Sequence, residues 1–237
     1  MNMNFIAEKI IAGPPIREIF ALEFGTELIY SFIIILCSLM VYFGTKELYE
    51  LSSHKGIKYF RQAFLFFAIA YFVRSFIKFV INYFEIRAII DLPPHIAGAT
   101  FGKLTLFLFM YFSAMAILYL LYSVIKTEKL NILGFHAIAI IIATISIIFQ
   151  NNLVYLLLNI IIFLFLTIIL LLGKKQSRKK RSNLYIVYIL LFIFWILNLI
   201  DILIPNFFQT FQLLIYLSSI TIFVLILYKV LKNTGVN

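Results

Sequence analysis

The stretch YFVRSFIKFVINYFE, residues 71 to 85, carries Arg74 and Lys78 inside a run that otherwise reads as lipid-soluble. At the helical period Tyr71, Arg74, Lys78, Asn82 and Glu85 fall along one stripe. A guanidinium and an ammonium on such a stripe can hold an anion through charge-assisted hydrogen bonds. A charge at the centre of a bilayer costs about 2.5 to 3.5 kcal/mol on insertion scales, so Arg74 must face protein or water and meet a partner.

Other parts of the chain supply partners at comparable depth. Asn198 and Asp201 lie three residues apart on one face, Gln212, Tyr216 and Ser219 recur at i, i+4 and i+7, and Asn159 lies in a further apolar run. Glu23, Glu27 and Tyr30 share a face at the start of the first apolar run. The candidate ligand-binding residues are Arg74, Lys78, Tyr71, Asn82, Asn159, Asn198, Asp201, Gln212 and Tyr216. They are expected to line a polar, cationic cavity open to the outside and closed toward the cytoplasm by apolar packing. The alternative is that Arg74 or Lys78 pairs with Asp201 or Glu27 and sets helix register with no ligand involved. Two cations against one deep acid, with Glu27 and Glu85 near the interface, leave a surplus of positive charge. That surplus favours an anion, a carboxylate-bearing ligand or a lipid headgroup.

No catalytic residue, metal site or cofactor is expected. His54, His95 and His136 do not converge, and the aspartates, Asp91 and Asp201, are too few for a magnesium cluster. GATFGK, residues 98 to 103, has three residues between its glycines and Leu104 where a phosphate loop needs Ser or Thr. A retinal-binding lysine would stand halfway along the last span, whereas Lys229 stands at its end. Cys37 is alone and reads as packing.

The elements that position these residues follow from composition. The chain has 64% hydrophobic and 13% charged residues with a mean hydropathy of +1.06, far on the apolar side of soluble domains. Seven apolar segments approach the ~20 residues that a helix needs to cross a bilayer. They are Leu28 to Gly44, Ala63 to Phe84, Leu104 to Ile125, Leu130 to Phe149, Leu153 to Gly173, Leu184 to Ile204 and Phe208 to Tyr228. An all-α, polytopic integral membrane protein with seven transmembrane helices is predicted, because lipid forces each backbone amide to pair within its own segment.

Of the 20 lysines and arginines, fourteen fall after segments one, three and five and in the tail, and four fall on the other side. This asymmetry predicts an extracytoplasmic N-terminus and a cytoplasmic C-terminus in the cell membrane. The net charge of +10 is thus a topology signal, and no nucleic-acid partner is expected. The basic run KKQSRKKR, residues 174 to 181, is expected to attract anionic lipid headgroups. Residues 1–26 are read as an extracytoplasmic segment with a short amphipathic helix at IREIFALEF, Ile16 to Phe24, and no cleavable signal. Residues 27–228 form the seven-helix domain and residues 229–237 a short cytoplasmic tail.

Internal likeness adds an organisational expectation. LYSVIKTEKLN, residues 121 to 131, parallels LYKVLKNTGVN, residues 227 to 237, and YFSAMAI at 111 parallels YLSSITI at 216. Segments one and five open with LIYS and LVYL. These blocks suggest a 3+1+3 parallel repeat, although apolar sequence aligns with itself easily. The layout is similar to that of SWEET-type carriers and of heptahelical receptors and rhodopsins, a likeness of architecture that carries no residue over. A small carrier or channel for an anionic or polar solute is the leading expectation. A ligand-sensing or accessory subunit that binds without transporting is the alternative, with a structural protein or an unfamiliar enzyme behind both. A receptor with so short a tail would have to signal through a partner, so a homo- or hetero-oligomer is part of that alternative.

Overall fold

The computed structural model describes residues 16–83, 94–125, 132–149, 152–177, 184–203 and 209–234, with side chains over 25–77, 79, 100–125, 132–149, 153–172, 185–201 and 211–232. Among these residues the regular structure is all helical. The helices are α1 Ile16–Gly44, α2 Lys46–Ser52, α3 Lys55–Tyr83, α4 Pro94–Val124, α5 Ile132–Phe149, α6 Asn152–Ser177, α7 Leu184–Leu203 and α8 Gln209–Thr234. Six described stretches are long and apolar enough to cross a membrane, namely Gly25–Ser52, Lys55–Ile77, Thr100–Val124, Ile132–Phe149, Leu153–Leu172 and Phe211–Lys232. In α7 the apolar stretch, Tyr185–Asp201, is shorter.

Two boundaries differ from the sequence expectation. The short helix expected at Ile16 to Phe24 and the segment expected from Leu28 are one unbroken helix, α1. No proline follows Pro15 in that stretch, and the lone Gly25 costs a helix only about 1 kcal/mol, too little to break it. The loop after the first segment also contains α2. This helix ends at Ser53, which takes the left-handed conformation (φ 48°) and donates its N–H to the Tyr49 carbonyl at 2.8 Å.

The long helices close into a ring. In order around it stand α1, α3, α4, α6, α7 and α8, and α8 returns to α1. Helix α5 stands outside the ring against α4 and α6. It is pinned there where the Tyr111 hydroxyl of α4 meets His136 Nδ1 of α5 at 2.8 Å. The outward face of α6 carries Leu157, Leu164 and Leu171, all exposed, while Leu158, Ile162, Leu166 and Ile169 are buried. A helix apolar on both faces needs lipid as its solvent.

Lipid also removes the hydrophobic drive between helices, so contact depends on close packing. Small buried residues supply it: Ala63, Ala70, Ala114, Ala116, Ala139 and Ala143 on three helices, with Ser31 and Ser38 on α1. At Gly56 a Cβ would lie 2.9 Å from the Ser123 carbonyl oxygen and 3.0 Å from the His54 ring. Gly56→Ala should therefore push α3 off α4 and destabilise the fold by about 1 to 3 kcal/mol. An unchanged melting temperature in detergent would mean that the two helices do not approach this closely.

Candidate functional site

One end of the ring is polar. Arg74 of α3 donates from Nε to Glu27 Oε1 of α1 at 2.9 Å, and its Nη2 lies 2.8 Å from the same oxygen. Its guanidinium carbon sits 5.3 Å from the Phe109 ring centre of α4, in cation–π range. The charge is thus answered by an anion and an aromatic face, as its depth in an apolar helix demands.

Beneath the ion pair lies a cluster of hydroxyls and amides. Tyr30 of α1 and Tyr71 of α3 are both buried, with their hydroxyl oxygens 3.2 Å apart. Tyr71 also makes a long 3.5 Å contact to Asn198 Oδ1 of α7. If Tyr71 donates there, Tyr30 donates to Tyr71, and the three groups form one directed chain. Asn198 is oriented by its own Nδ2, which donates to the Phe194 carbonyl at 2.9 Å. The Tyr216 ring of α8 stacks on Tyr30 with centroids 4.5 Å apart, and its hydroxyl accepts from Gln212 Nε2 at 2.9 Å. Asp201, one turn beyond Asn198 on α7, lies within electrostatic reach of Tyr71, Tyr155 and Tyr216.

Below this layer the ring interior is aromatic and closely packed. Phe67 and Phe194 both pack on Phe223, with centroids 6.3 and 4.7 Å away, and all three are under 2% exposed. Phe64 follows one turn deeper on α3 and is also fully buried.

Of the residues singled out from sequence, Arg74, Tyr71, Asn198, Asp201, Gln212 and Tyr216 converge here from three helices. Asn159 is buried on α6 but is engaged locally. Its Nδ2 donates to the Tyr155 carbonyl at 2.9 Å, and its own carbonyl accepts from Trp195 Nε1 at 3.3 Å. The side chains of Lys78 and Asn82 lie outside the described residues.

Sequence reasoning placed Glu27 near the interface and counted a surplus of cations. In the structure Glu27 reaches Arg74, so the surplus is smaller by that charge. The reason is geometric: α1 and α3 are neighbours, and how they slide past each other brings the two long side chains into contact. Tyr155 and Phe109 were not on the candidate list. Tyr155 had a signal, since LVYL repeats LIYS and so pairs Tyr155 with Tyr30. Phe109, one of 27 phenylalanines, had none.

Apolar helices closed into a ring, with an ion pair and a cluster of hydroxyls and amides at one interior end, define a helical multi-pass membrane protein. The chain is similar to an uncharacterized protein of Archaeoglobus fulgidus, 29% identical over 220 residues that cover 90% of this chain and 94% of that one. The likeness therefore runs through nearly the whole bundle. No family model and no solved structure matches the chain.

Proposed function

We propose that this protein is a small carrier for an anionic or polar solute, with its binding site among Arg74, Tyr71, Asn198, Asp201, Gln212 and Tyr216. On this reading the chain crosses the cell membrane seven times, α7 included, with the N-terminus outside and the C-terminus cytoplasmic. Residues 1–26 are extracytoplasmic and residues 229–237 form a cytoplasmic tail. The polar end of the ring then faces out, and the Phe67, Phe194 and Phe223 layer closes the path inward. The basic loops meet anionic lipid headgroups on the cytoplasmic side.

The observation that carries this reading is the order of helices in the ring. Exchanging α1, α3 and α4 for α6, α7 and α8 turns every neighbouring pair of the ring into another neighbouring pair. Helix α5, the connector of a 3+1+3 repeat, is the one that stands outside. Two like halves around a central polar site are the arrangement in which one half can rock against the other.

Uptake of labelled acetate, lactate and phosphate into proteoliposomes tests it. Arg74→Ala should lower uptake of the transported anion by about tenfold or more, the worth of a charge-assisted hydrogen bond. Equal uptake of every anion tested, or none by either protein, would argue against transport, and equal uptake of one anion by both proteins would remove Arg74 from the site. The second reading, a ligand-sensing or accessory subunit, is favoured by the buried Phe67, Phe194 and Phe223 layer, which allows binding without passage. It predicts ligand-dependent thermal stabilisation without flux.

A further inference from the structure

At the end of the ring opposite the polar cluster, Arg61 of α3 is held in place without an anion. Its Nε donates to the Tyr42 carbonyl of α1 at 3.0 Å, and its guanidinium carbon lies 4.8 Å from the Tyr42 ring centre and 5.7 Å from that of Tyr49 in α2. Contacts from two other helices thus fix where this cation stands. Its remaining N–H donors have no acceptor among the described residues, and no described carboxylate pairs with it. Glu50 is engaged by Lys46 at 3.7 Å.

The charge balance at this end is positive. Lys46, Lys55, Lys58 and Arg61 stand against Glu47 and Glu50, four cations to two acids. The residues joining α4 to α5 add Lys126, Glu128 and Lys129, and α8 ends here with Lys229 and Lys232. Lys58 is exposed and lies one turn before Arg61 on the same face of α3. The first turn of α3 holds no acid, so the positive end of its dipole adds to the same field.

An apolar groove leads away from this cation along the helix. It follows the outward face of α1 from Phe32 to Gly44 with a volume of about 470 Å³, in the range of small-molecule sites. The Tyr42 ring that carries Arg61 meets the ring of Phe43, which lines the groove, with centroids 5.1 Å apart. Leu39 and Ile35, which also line it, lie one and two turns from Tyr42 on its own face. Cation and groove are therefore continuous, charge at the helix end and apolar surface toward its middle.

The geometry points to a binding site for a phospholipid of net negative charge, with its phosphate on Arg61 and one acyl chain along the α1 groove. A guanidinium takes a phosphate through paired N–H donors, and tyrosines mark the interfacial depth at which headgroups lie. A second copy of this chain seated on the groove would share its orientation in the membrane. A two-fold axis would then bring its Arg61 and Lys58 to the same end, adding like charge. A lipid adds the opposite charge. Arg61 lies thirteen residues, about 20 Å, from Arg74 along α3, so this site stands whether or not the polar end carries a solute.

Native mass spectrometry of the full chain in detergent, titrated with phosphatidylglycerol, phosphatidylcholine, diacylglycerol and inorganic phosphate, reads the number and affinity of bound molecules. The first phosphatidylglycerol should bind about tenfold or more tightly than phosphatidylcholine, whose ammonium group meets the basic field, and than diacylglycerol, which lacks the phosphate. Arg61→Gln should lower its affinity about tenfold, the worth of a charge-assisted hydrogen bond. Lys180→Gln, which removes an equal charge from the basic run at residues 174 to 181, should leave it unchanged. Leu36→Trp fills the groove while keeping the guanidinium and should also weaken binding, so it decides the matter if Arg61→Gln does not fold.

Equal weakening by Arg61→Gln and Lys180→Gln would reduce the site to diffuse attraction between lipid and surface charge. Inorganic phosphate bound as tightly as the lipid would remove the groove from it. Full affinity in either Arg61→Gln or Leu36→Trp would overturn the proposal.

Discussion

Glu27→Ala is expected to destabilise the bundle by about 3 kcal/mol or more, because it leaves the Arg74 guanidinium without its carboxylate in a low-dielectric setting. Both side chains are mostly buried, with 22% exposure for Arg74 and 15% for Glu27, so solvent screening does little to soften the loss. The Phe109 ring remains as a partner, but a cation–π contact, worth about 2 kcal/mol or somewhat more when desolvated, does not replace an ion pair. Removing both charges in Glu27→Ala/Arg74→Met should recover much of the loss, since two apolar groups in lipid carry no desolvation penalty. Unfolding in a mixed-micelle denaturant series for the two single variants and the double gives the coupling directly. A Glu27→Ala protein as stable as the parent would mean that the pair does not form in the bilayer, and the polar cluster beneath it would lose its roof.

Phe223→Ala should be the most damaging apolar substitution. Its ring is fully buried and touches Phe67 of α3 and Phe194 of α7, so its removal opens a hole where α3, α7 and α8 meet. Phe→Ala changes in cores cost about 3 to 5 kcal/mol. In lipid the transfer part shrinks while the cavity and dispersion part stays, so the lower end, about 3 kcal/mol, is expected. Phe211→Ala, on the same helix but 56% exposed toward lipid, should change the melting temperature little. A similar loss at both positions would mean that the aromatic layer does not join α3, α7 and α8. Under the carrier reading Phe223→Ala should also let solute leak inward, which a structural role alone would not produce.

Much of this was legible before any coordinates. The apolar segments were visible because lipid makes each backbone amide of a helix pair within its own segment, and the observed helices differ mainly by running on past the apolar stretches. Arg74 stood out as a cation in an apolar run, and the stripe through Tyr71 followed from the helical period. Asn198 and Asp201 were legible for the same reason. Glu27 was visible on the face of Tyr30, yet its depth relative to Arg74 was misjudged, because depth depends on how α1 and α3 slide past each other.

The amino-acid sequence by itself determined the solvent, the helical secondary structure and the list of polar residues that lipid would not tolerate unpartnered. Only the tertiary structure decided which of them meet: that Arg74 takes Glu27, that Tyr71 reaches Asn198 across the ring, that the Asn159 amide turns to the Tyr155 carbonyl, and that α5 stands outside. Hydrophobicity tells each helix to enter the membrane without naming its neighbours. Neighbours are chosen by the fit of small residues and aromatic rings, and that fit exists only once all the helices are packed.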